Sequence, residues 1–594
     1  MLKLVKNILR DGRLVLSICL LSSSVIVISA SSSPLTGYEL NLYESLMPFG
    51  WAAVGLGLVI GYIGFLISIT RDSYMGAGAA IVGVTSITGT VVLLPLFRGY
   101  HRYGRGDMST IIGHLRVAMA QGQVGARDYY PAFNLSVIHL HSITTVDINQ
   151  TMLFFSFLLT ILSPLFVYCL TRTIFNTSTG PIISSVFATP LYFSYRYVNA
   201  LYDPQALTLL ATPLLIFLLL SAYKGRRRAK LPLFLITVLL PFLHPVPTLV
   251  FFLSLIVSVT CMLIAEYKTA DNSQFWGRRI TITRNLIVIL LLATVAWYTY
   301  TRFFGINILR IYTALQGISE ASPAGRNVST LSRIRITELL SLFIRRFGSV
   351  FVLVVLSGLG FLLVNSNRGS RERFLPLSTW IIVASCMEIG IIVFRALPLF
   401  IFRLVGGIAS VAHTFAGALF VRGFRQDTTI TGVILVCTLL ITSSLGMVSA
   451  HPSPYTNKVS YGVPSSQLDA VDWTVSHTNS DAMLKSIETR PSRFAERLYG
   501  SEVIRDRDIF SRGGGASFQY LLPSHFEMPR NSEDEQTAQV FAFFSPVERH
   551  KVRQSSGDGS EYTPEDYRRF VSNPDVAKVY DNGDTHWFYI DLID

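Results

Sequence analysis

The sequence predicts an α-helical, polytopic membrane protein with a small α/β domain at its C-terminal end. Of the 594 residues, 50% are hydrophobic and only 15% are charged, whereas soluble proteins carry about 25% charged residues. Apolar runs of roughly 20 residues, the length that crosses a bilayer, recur between residues 14 and 447 and then stop. We therefore divide the chain into a transmembrane region, 1–450, and a soluble domain, 451–594.

About thirteen apolar runs are predicted to span the membrane. They cover 14–31, 50–69, 76–97, 151–171, 180–198, 205–222, 231–243, 246–265, 285–303, 347–364, 376–395, 398–421 and 428–447. The seventh run is short and ends at Pro241 and His244-Pro245, which predicts a broken helix. Non-helical backbone at membrane depth needs protein or a water-filled cavity to satisfy its polar groups, so 241–247 is a candidate cavity wall.

Basic residues predict the orientation of the chain. Cytoplasmic connections are enriched in Lys and Arg, and such residues precede the first run and recur at alternate connections. Their positions are Lys3, Lys6, Arg10, Arg13, Arg71, Arg172, 224–230, 278–279, 368–373 and 422–425. The N-terminus is thus expected in the cytoplasm, and the domain 451–594 and the long loops 98–150 and 304–346 outside it.

The charges suggest partners. The formal net charge is +13; residues 448–594 carry −7 and the rest +20. Positive cytoplasmic loops explain much of the excess, and anionic headgroups or an anionic lipid-linked substrate are the further expectation. The outer loops are basic as well, with Arg345 and Arg346 in the second, and such a surface suits either a phosphate-bearing lipid substrate or ordinary phospholipids. Membrane lipids, not nucleic acid, are the expected partners.

One outer segment, 104–142, is polar, glycine-rich and too long for a simple connection, which is typical of functional loops. In it, Asp107 lies between Gly106 and Met108, before a predicted amphipathic helix over 109–121. A carboxylate there could act as a general base or hold a divalent cation such as Mg²⁺ or Mn²⁺. A helix cap is the simpler alternative.

Ionisable residues inside apolar runs are functional candidates because they are costly in a membrane. Glu388 and Arg395 are seven residues apart in the eleventh run, and Arg403 lies in the twelfth. They could bind a phosphate group near the outer surface, or they could form a structural ion pair. Asp203, at the start of the sixth run, could face the same cavity or cap the helix.

The C-terminal domain shows local signals of an α/β fold. A helix is predicted to open at 471–473, a strand over 540–544, and a second helix at Thr563-Pro564. The turn 581–584, with Asn-Gly at its centre, predicts a β-hairpin. The domain lacks cysteine, and the chain contains no P-loop, no Rossmann glycine pattern and no zinc-ligand spacing.

Four stretches resemble a known family. They are 34–43, which reads P-L-T-G-Y-E-L-N-L-Y; Gly106-Asp107 followed by Gly113, Arg116 and Tyr130-Pro131; His244-Pro245; and 578–583, K-V-Y-D-N-G. They resemble motifs of the GT-C superfamily of membrane glycosyltransferases, in particular archaeal multi-span members, which are similar in fold to protein mannosyltransferases and to oligosaccharyltransferase catalytic subunits. The fold expected from the resemblance is thus GT-C-like.

The resemblance implies a function and a site. The donor would be a sugar on a polyprenyl phosphate such as dolichol phosphate, the acceptor an extracytoplasmic protein or glycolipid, and the transfer inverting. Asp107 would be the catalytic base or a metal ligand. The substrate-binding candidates are Arg116, Tyr130, Asp203, His244, Arg345, Arg346, Glu388, Arg395 and Arg403.

Two other functions remain open on the sequence. Relatives often have His, Asp and His where this chain has Ile111 or Ile112, Val117 and Asn134, which favours a non-catalytic assembly subunit. The other alternative is a transporter or flippase for lipid-linked or anionic solutes. A transporter would more often show internal repeats with paired broken helices, and the sequence has one such break.

Overall fold

Within the described residues, the predicted membrane spans lie on helices, with one turn, at Leu93, inside the third. The computed structural model describes residues 11–32, 35, 37–100, 102–125, 128, 130–175, 177–194, 204–268, 273–301, 336–366, 368–393, 398–456, 460–478, 483–486, 491–500, 504, 540–549 and 564–590. The side chains of 388–393 and 398–407 lie outside this description. In the described part, the chain is a helical, multi-pass membrane protein with a small C-terminal sheet.

The helices of the N-terminal half are α1 Gly12–Ser31, α2 Pro48–Ile69, α3 Tyr74–Val92, α4 Leu94–Phe97, α5 Asp107–Gln121, α6 Pro131–Thr144, α7 Ile148–Ile174, α8 Thr179–Ser194 and α9 Pro204–Tyr223. Those that follow, up to the end of the transmembrane region, are α10 Arg227–Leu243, α11 Pro245–Lys268, α12 Ser273–Tyr300, α13 Ile336–Asn365, α14 Arg368–Val393, α15 Pro398–Gln426 and α16 Thr428–Ala450. Among the described residues, seven helices are long and apolar enough to cross a membrane: Gly12–Ser31, Pro48–Ile69, Tyr74–Val92, Pro245–Tyr267, Trp276–Tyr300, Leu340–Asn365 and Thr428–Ala450. The total of thirteen spans stays a prediction.

The predicted break is confirmed at His244 and not at Pro241, which lies inside a helix. Helix α10 ends at Leu243, and His244 has extended backbone, with φ −164° and ψ 133°, before α11 begins at Pro245. Proline favours extended backbone at the residue before it, because its ring clashes with a helical neighbour. The His244 carbonyl accepts the Thr248 hydroxyl at 2.7 Å, so part of the freed backbone is satisfied locally.

Glycines allow the transmembrane helices to approach closely. A Cβ atom on Gly360 of α13 would lie 2.0 Å from the carbonyl oxygen of Phe415 on α15. Two residues earlier, a Cβ atom on Gly358 would meet nothing within 4 Å. In a membrane, lipid removes the hydrophobic attraction between helices. Small residues at the contacts let the helices pack closely instead.

We expect Gly360→Ala to lower the free energy of unfolding by about 2 kcal/mol, because the methyl group must push two helices apart. Gly358→Ala, on the same helix, is the matched control and should change stability by at most about 0.5 kcal/mol. Thermal unfolding of the detergent-solubilised variants measures both. Equal midpoints for the two variants would contradict the close contact of α13 with α15.

The C-terminal domain is the α/β unit that the sequence predicts. Its helices are α17 Ser465–His477, α18 Pro491–Tyr499 and α19 Pro564–Ser572, and its strands are β1 Met483–Ser486, β2 Val540–Phe544, β3 Val576–Asp581 and β4 His586–Ile590. The sheet order is β1-β2-β4-β3, with β1 parallel to β2 and the other pairs antiparallel. Trp587 of β4 is fully buried and donates its indole N–H to the Ala470 carbonyl at 2.9 Å, which joins sheet and helix in one core.

The helices and the hairpin predicted in this domain are present, but one of the helices begins earlier than predicted. The hairpin turns at Gly583, whose φ is +86°, a value that suits glycine. Helix α19 starts at Pro564 as expected, although Thr563, its predicted cap, lies outside the described residues. Helix α17 begins at Ser465, six residues before the predicted start. A proline at its N-cap, Pro464, gives a weaker start signal than a capping Ser or Asp.

Candidate functional site

The start of the long loop 98–150 is joined to the C-terminal domain by backbone pairing. Tyr103 forms an antiparallel bridge with Gly462, and the Gly104 N–H donates to the Tyr461 carbonyl at 2.9 Å. Arg105 donates to the Gly462 carbonyl at 2.8 Å and lies over the Tyr38 ring, 5.3 Å from its centroid. The segment that leads to Asp107 is therefore positioned by residues more than 350 positions away.

Asp107 is the first residue of α5. The residue before it, Gly106, has φ +62°, a conformation that a residue with a side chain rarely adopts. This turn places Asp107 in the first helical turn, where exposed N–H groups favour a carboxylate. Its side chain is 76% exposed, and one oxygen, Oδ1, lies 3.3 Å from Arg493 Nη2.

Arg493 belongs to α18, which packs along α5. Its guanidinium also contacts the Thr110 hydroxyl and lies 3.3 Å from the Glu496 carboxylate. Thr110 in turn donates to Glu496. Further along, Arg116 donates to the Leu498 carbonyl at 3.1 Å. The two helices thus share polar contacts over most of the length of α18.

The polar contacts between α5 and α18, and of the chain just before α5, are called the seam below. Arg497 is its buried anchor. It is 1% exposed and donates to the Gly104 carbonyl at 2.9 Å and to Asn149 Oδ1 at 2.6 Å. Burial, and then the nearby charge of Arg102, lowers the pKa of Arg497 to about 9. A buried cation that hydrogen-bonds to neutral acceptors is costly unless those hydrogen bonds are kept.

Two residues expected in the site from separate motifs lie in contact. The rings of Tyr130 and His244 stack with centroids 5.3 Å apart and an interplanar angle of 6°. His244 is 2% exposed, and its Nδ1 accepts the Val246 N–H at 3.2 Å, so the ring proton of the neutral form lies on Nε2. The broken span and the outer loop meet at this stack.

Asp128, which the sequence reasoning missed, holds the turn before Tyr130. It is 2% exposed and accepts the Tyr130 N–H at 2.9 Å and the Asn134 side-chain amide at 2.7 Å. Burial raises the pKa of Asp128. Asp128 thus anchors the N-terminus of α6. The sequence did not reveal it, because a buried Asp in a polar loop has no distinctive sequence signal.

Two Asn-x-Ser/Thr triplets, which begin at Asn134 and Asn149, have their asparagines buried inside the protein. Asn134 is fully buried against Asp128, and Asn149, 8% exposed, donates its amide to Asp147 and accepts Arg497. An N-linked glycan needs an exposed amide nitrogen. Neither asparagine is therefore placed to carry a glycan.

Arg345 and Arg346, expected as phosphate-binding residues, contact the segment that follows α16. Arg345 is exposed and donates to the Tyr455 carbonyl at 3.3 Å. Arg346 donates to the Thr456 carbonyl at 2.7 Å. In this arrangement both arginines tie the start of the C-terminal domain to α13.

The remaining expected site residues are not described. Asp203 and Arg395 lie outside the described residues, as does most of the loop 304–346. Glu388 and Arg403 lie in α14 and α15, but their side chains are outside the description. Whether they pair, or reach Asp107, stays a prediction.

A divalent cation at Asp107 stays a prediction. In the described part of the chain, no group of three or more His, Cys, Asp or Glu side chains comes together, but Mg²⁺ is usually bound through one or two carboxylates together with water and substrate phosphates. The charged group beside Asp107 is the Arg493 guanidinium, and it occupies the side of the carboxylate that faces α18.

Comparison with known proteins gives remote structural matches. No protein-family model matches the chain, and no curated protein matches its sequence. The structure of ArnT from Cupriavidus metallidurans bound to undecaprenyl phosphate superposes with a TM-score of 0.45 at 11% identity, over 88% of this chain and 99% of that one. For apo ArnT the values are 0.44, 12%, 88% and 99%. A mutant of the mycobacterial arabinofuranosyltransferase AftD gives 0.42, 13%, 86% and 41%.

Proposed function

We propose that this protein is a membrane glycosyltransferase of the GT-C type, which transfers a sugar from a polyprenyl-phosphate-linked donor to an extracytoplasmic protein or glycolipid. The observation that carries the proposal is the stack of Tyr130 on His244. Each residue belongs to a different stretch that resembles a family motif, and they lie 114 positions apart in the sequence. The fold brings the two stretches together beside the helix that begins with Asp107.

The proposed reaction is an inverting displacement at the anomeric carbon of the sugar. Asp107 accepts the proton of the acceptor hydroxyl as general base. The acceptor oxygen forms a bond to the anomeric carbon while the bond from that carbon to the phosphate oxygen breaks. The polyprenyl phosphate leaves with the bonding electrons, and cationic side chains stabilise its charge.

Roles for the other residues follow from this reaction. Arg116, on the same helix as Asp107, is proposed to neutralise the leaving phosphate, together with Arg345, Arg346, Arg395 and Arg403. Tyr130, backed by the buried His244 ring, forms an aromatic wall for the sugar, and Asp203 and Glu388 complete the polar lining. Asp107 is alternatively proposed to hold a divalent cation, and the steps above use protein side chains only.

The proposed topology puts this site outside the cytoplasm. With the N-terminus in the cytoplasm and thirteen spans, the domain 451–594 and the Asp107 loop face the outside, where a flipped lipid-linked donor is found. Reporter fusions after residues 230 and 450 should then lie on opposite sides of the membrane. A common location for both fusions would refute the span count.

A cell-based experiment tests the function whatever the identity of the sugar. In a strain that lacks the gene, we expect envelope glycans to lose one or more sugars and a polyprenyl-phosphate-linked sugar to accumulate, both measured by mass spectrometry. The wild-type gene should reverse both changes. Asp107→Asn, at equal abundance in the membrane, should reverse neither, since loss of a general base costs about 10²- to 10⁴-fold in rate.

A non-catalytic assembly subunit is the second candidate. It is favoured by the pairing of Asp107 with Arg493 and by the 76% exposure of the Asp107 side chain, both of which suit a structural contact. In that case Asp107→Asn would restore the glycans as fully as the wild-type gene. Restoration by this variant would therefore exclude the catalytic proposal.

A further inference from the structure

The C-terminal domain places a cation between two carboxylates at the start of the outer-loop helix. Arg493 lies 3.3 Å from Asp107 Oδ1 on one side and 3.3 Å from Glu496 Oε2 on the other. The two acids differ in environment: the Glu496 side chain is 11% exposed and that of Asp107 is 76% exposed. The guanidinium thus connects a buried acid to an exposed one.

The buried side of this arrangement holds Arg493 independently of Asp107. Glu496 precedes Arg497 on the same helix, and it accepts the Thr110 hydroxyl from α5 as well as Arg493. Arg493 also donates to Thr110. A charge-assisted pair at a mostly buried site is less screened by solvent than an exposed pair, so the guanidinium remains in place when Asp107 exchanges partners.

Arg497 fixes the register of the two helices. It donates to the carbonyl of Gly104, three residues before Asp107, and to Asn149 at the start of α7. Gly500, at the end of α18, leaves room for Val117, because a Cβ atom there would lie 2.3 Å from Val117 Cγ2. The position of Arg493 relative to Asp107 is therefore set from the C-terminal end of α18.

Asp107 is held through one of its oxygens. Its contact in the described part of the chain is through Oδ1 to Arg493, and the high exposure of the side chain leaves Oδ2 accessible. A carboxylate fixed through one oxygen presents the other in a defined direction, which is the requirement for a general base. A planar guanidinium suits this task because it binds two acceptors at once with fixed geometry.

We infer that Arg493 is a positioning residue for Asp107, so that the C-terminal domain completes the active site. This inference rests on the proposed transferase function. Arg493 binds no substrate in this scheme; it orients Asp107 through Oδ1, so that Oδ2 faces the acceptor hydroxyl. The domain 451–594 then acts on bond formation itself, beyond the handling of the acceptor.

Purified full-length protein tests the inference, with the lipid-linked sugar that accumulates in the deletion strain as donor. Arg493→Gln should lower kcat about tenfold and leave the KM for the donor unchanged within about twofold, because orientation is lost and donor contacts are not. Arg493→Lys should recover most of the loss. The matched control is Arg568→Gln, which removes an arginine that is 73% exposed and paired with Glu565 in the same domain, and it should leave kcat unchanged.

A double variant shows whether Arg493 acts through Asp107. Asp107→Asn alone should lower kcat at least about 100-fold, and adding Arg493→Gln to it should lower kcat no further, since residues that act as a unit are non-additive. Hydrogen exchange of 104–121 checks that α5 stays folded in each variant. If Arg493→Gln does not fold, Glu496→Gln decides instead: it should lower kcat about threefold by releasing Arg493.

The outcomes separate this inference from the proposed function. Wild-type kcat in Arg493→Gln, or in Glu496→Gln where the former does not fold, overturns the positioning role while an inactive Asp107→Asn keeps the function. A further tenfold loss from Arg493→Gln in the Asp107→Asn protein also overturns it, because Arg493 would then act independently. An active Asp107→Asn overturns the function itself.

Discussion

Glu39→Gln is expected to lower the free energy of unfolding by about 3 kcal/mol. Glu39 is the acid of the stretch 34–43 that resembles the first family motif. It forms an ion pair with Arg98, whose side chain is 4% exposed, and accepts the Tyr100 hydroxyl at 3.0 Å. Its neutralisation would remove the charge with which the buried Arg98 forms its ion pair.

The size of this effect follows from the surroundings of Arg98. Its Nη1 donates to the Ala30 carbonyl at 3.2 Å, so the pair joins the end of α1 to the chain beyond α4. Desolvation lowers the pKa of Arg98, because burial destabilises its charged form. Removing one member of a buried pair costs about 3–5 kcal/mol, and the lower end applies here, because the Glu39 side chain keeps 23% exposure.

Two further variants serve as comparisons for the stability of Glu39→Gln. Glu565→Gln removes the acid of an exposed pair with Arg568, at 3.0 Å, and should cost at most about 1 kcal/mol. The double variant Glu39→Leu, Arg98→Met replaces the whole pair by apolar groups and should recover most of the loss. Chemical unfolding of the solubilised protein compares them. Equal stabilities of Glu39→Gln and Glu565→Gln would contradict a structural role for the buried pair.

Elements that depend on local chemistry were predictable from the sequence. Twenty-residue apolar runs form helices because a membrane leaves the backbone no other way to satisfy its polar groups. The break at His244 follows from Pro245, and the hairpin follows from Asn582-Gly583. Each signal lies within a few residues of its structural effect, so one sequence is enough to detect it.

The polar seam between α5 and α18 was not predictable, because its partners are almost 400 positions apart in the sequence. Arg493, Glu496 and Arg497 have the i, i+3, i+4 spacing of one helical face, a pattern that solvent-exposed helices share. The net charge of the domain, −7, predicts attraction to the basic loops in general. At Asp107 the charges are reversed: the domain supplies the cation, Arg493, and the loop supplies the acid.

The family resemblance located residues that the fold brings into contact, but it gave no geometry. It indicated Tyr130 and His244 separately, and their stack became evident only in the structure. It also assigned Arg345 and Arg346 to phosphate, which stays a proposal. The structure adds that both donate to backbone carbonyls beyond α16, contacts between distant segments that a single sequence does not give.

Removal of residues 457–594 is expected to abolish sugar transfer and to expose the outer loop to protease. Helix α5 has 15 residues, close to the length at which an isolated helix is marginal in water. Without the domain it loses the contacts of Thr110 and Arg116 with α18, and the preceding segment loses its pairing with Gly462. We expect trypsin to cleave the truncated protein at Arg105 and Arg116 much faster than the intact protein.

The control is a protein whose chain is cut in front of the C-terminal domain but which still contains that domain. A protease site inserted between Thr456 and Ser460 and then cleaved keeps every contact of the seam. The domain should therefore remain bound through Arg497, which joins it to Gly104 and Asn149, and transfer should persist. Arg497→Ala in the cut protein removes both hydrogen bonds, each worth about 1.5–3 kcal/mol when the donor is charged, and should release the domain on gel filtration. If the truncated chain kept its transferase activity and its resistance to trypsin, the C-terminal domain would be an appendage, and the site would belong to the transmembrane region alone.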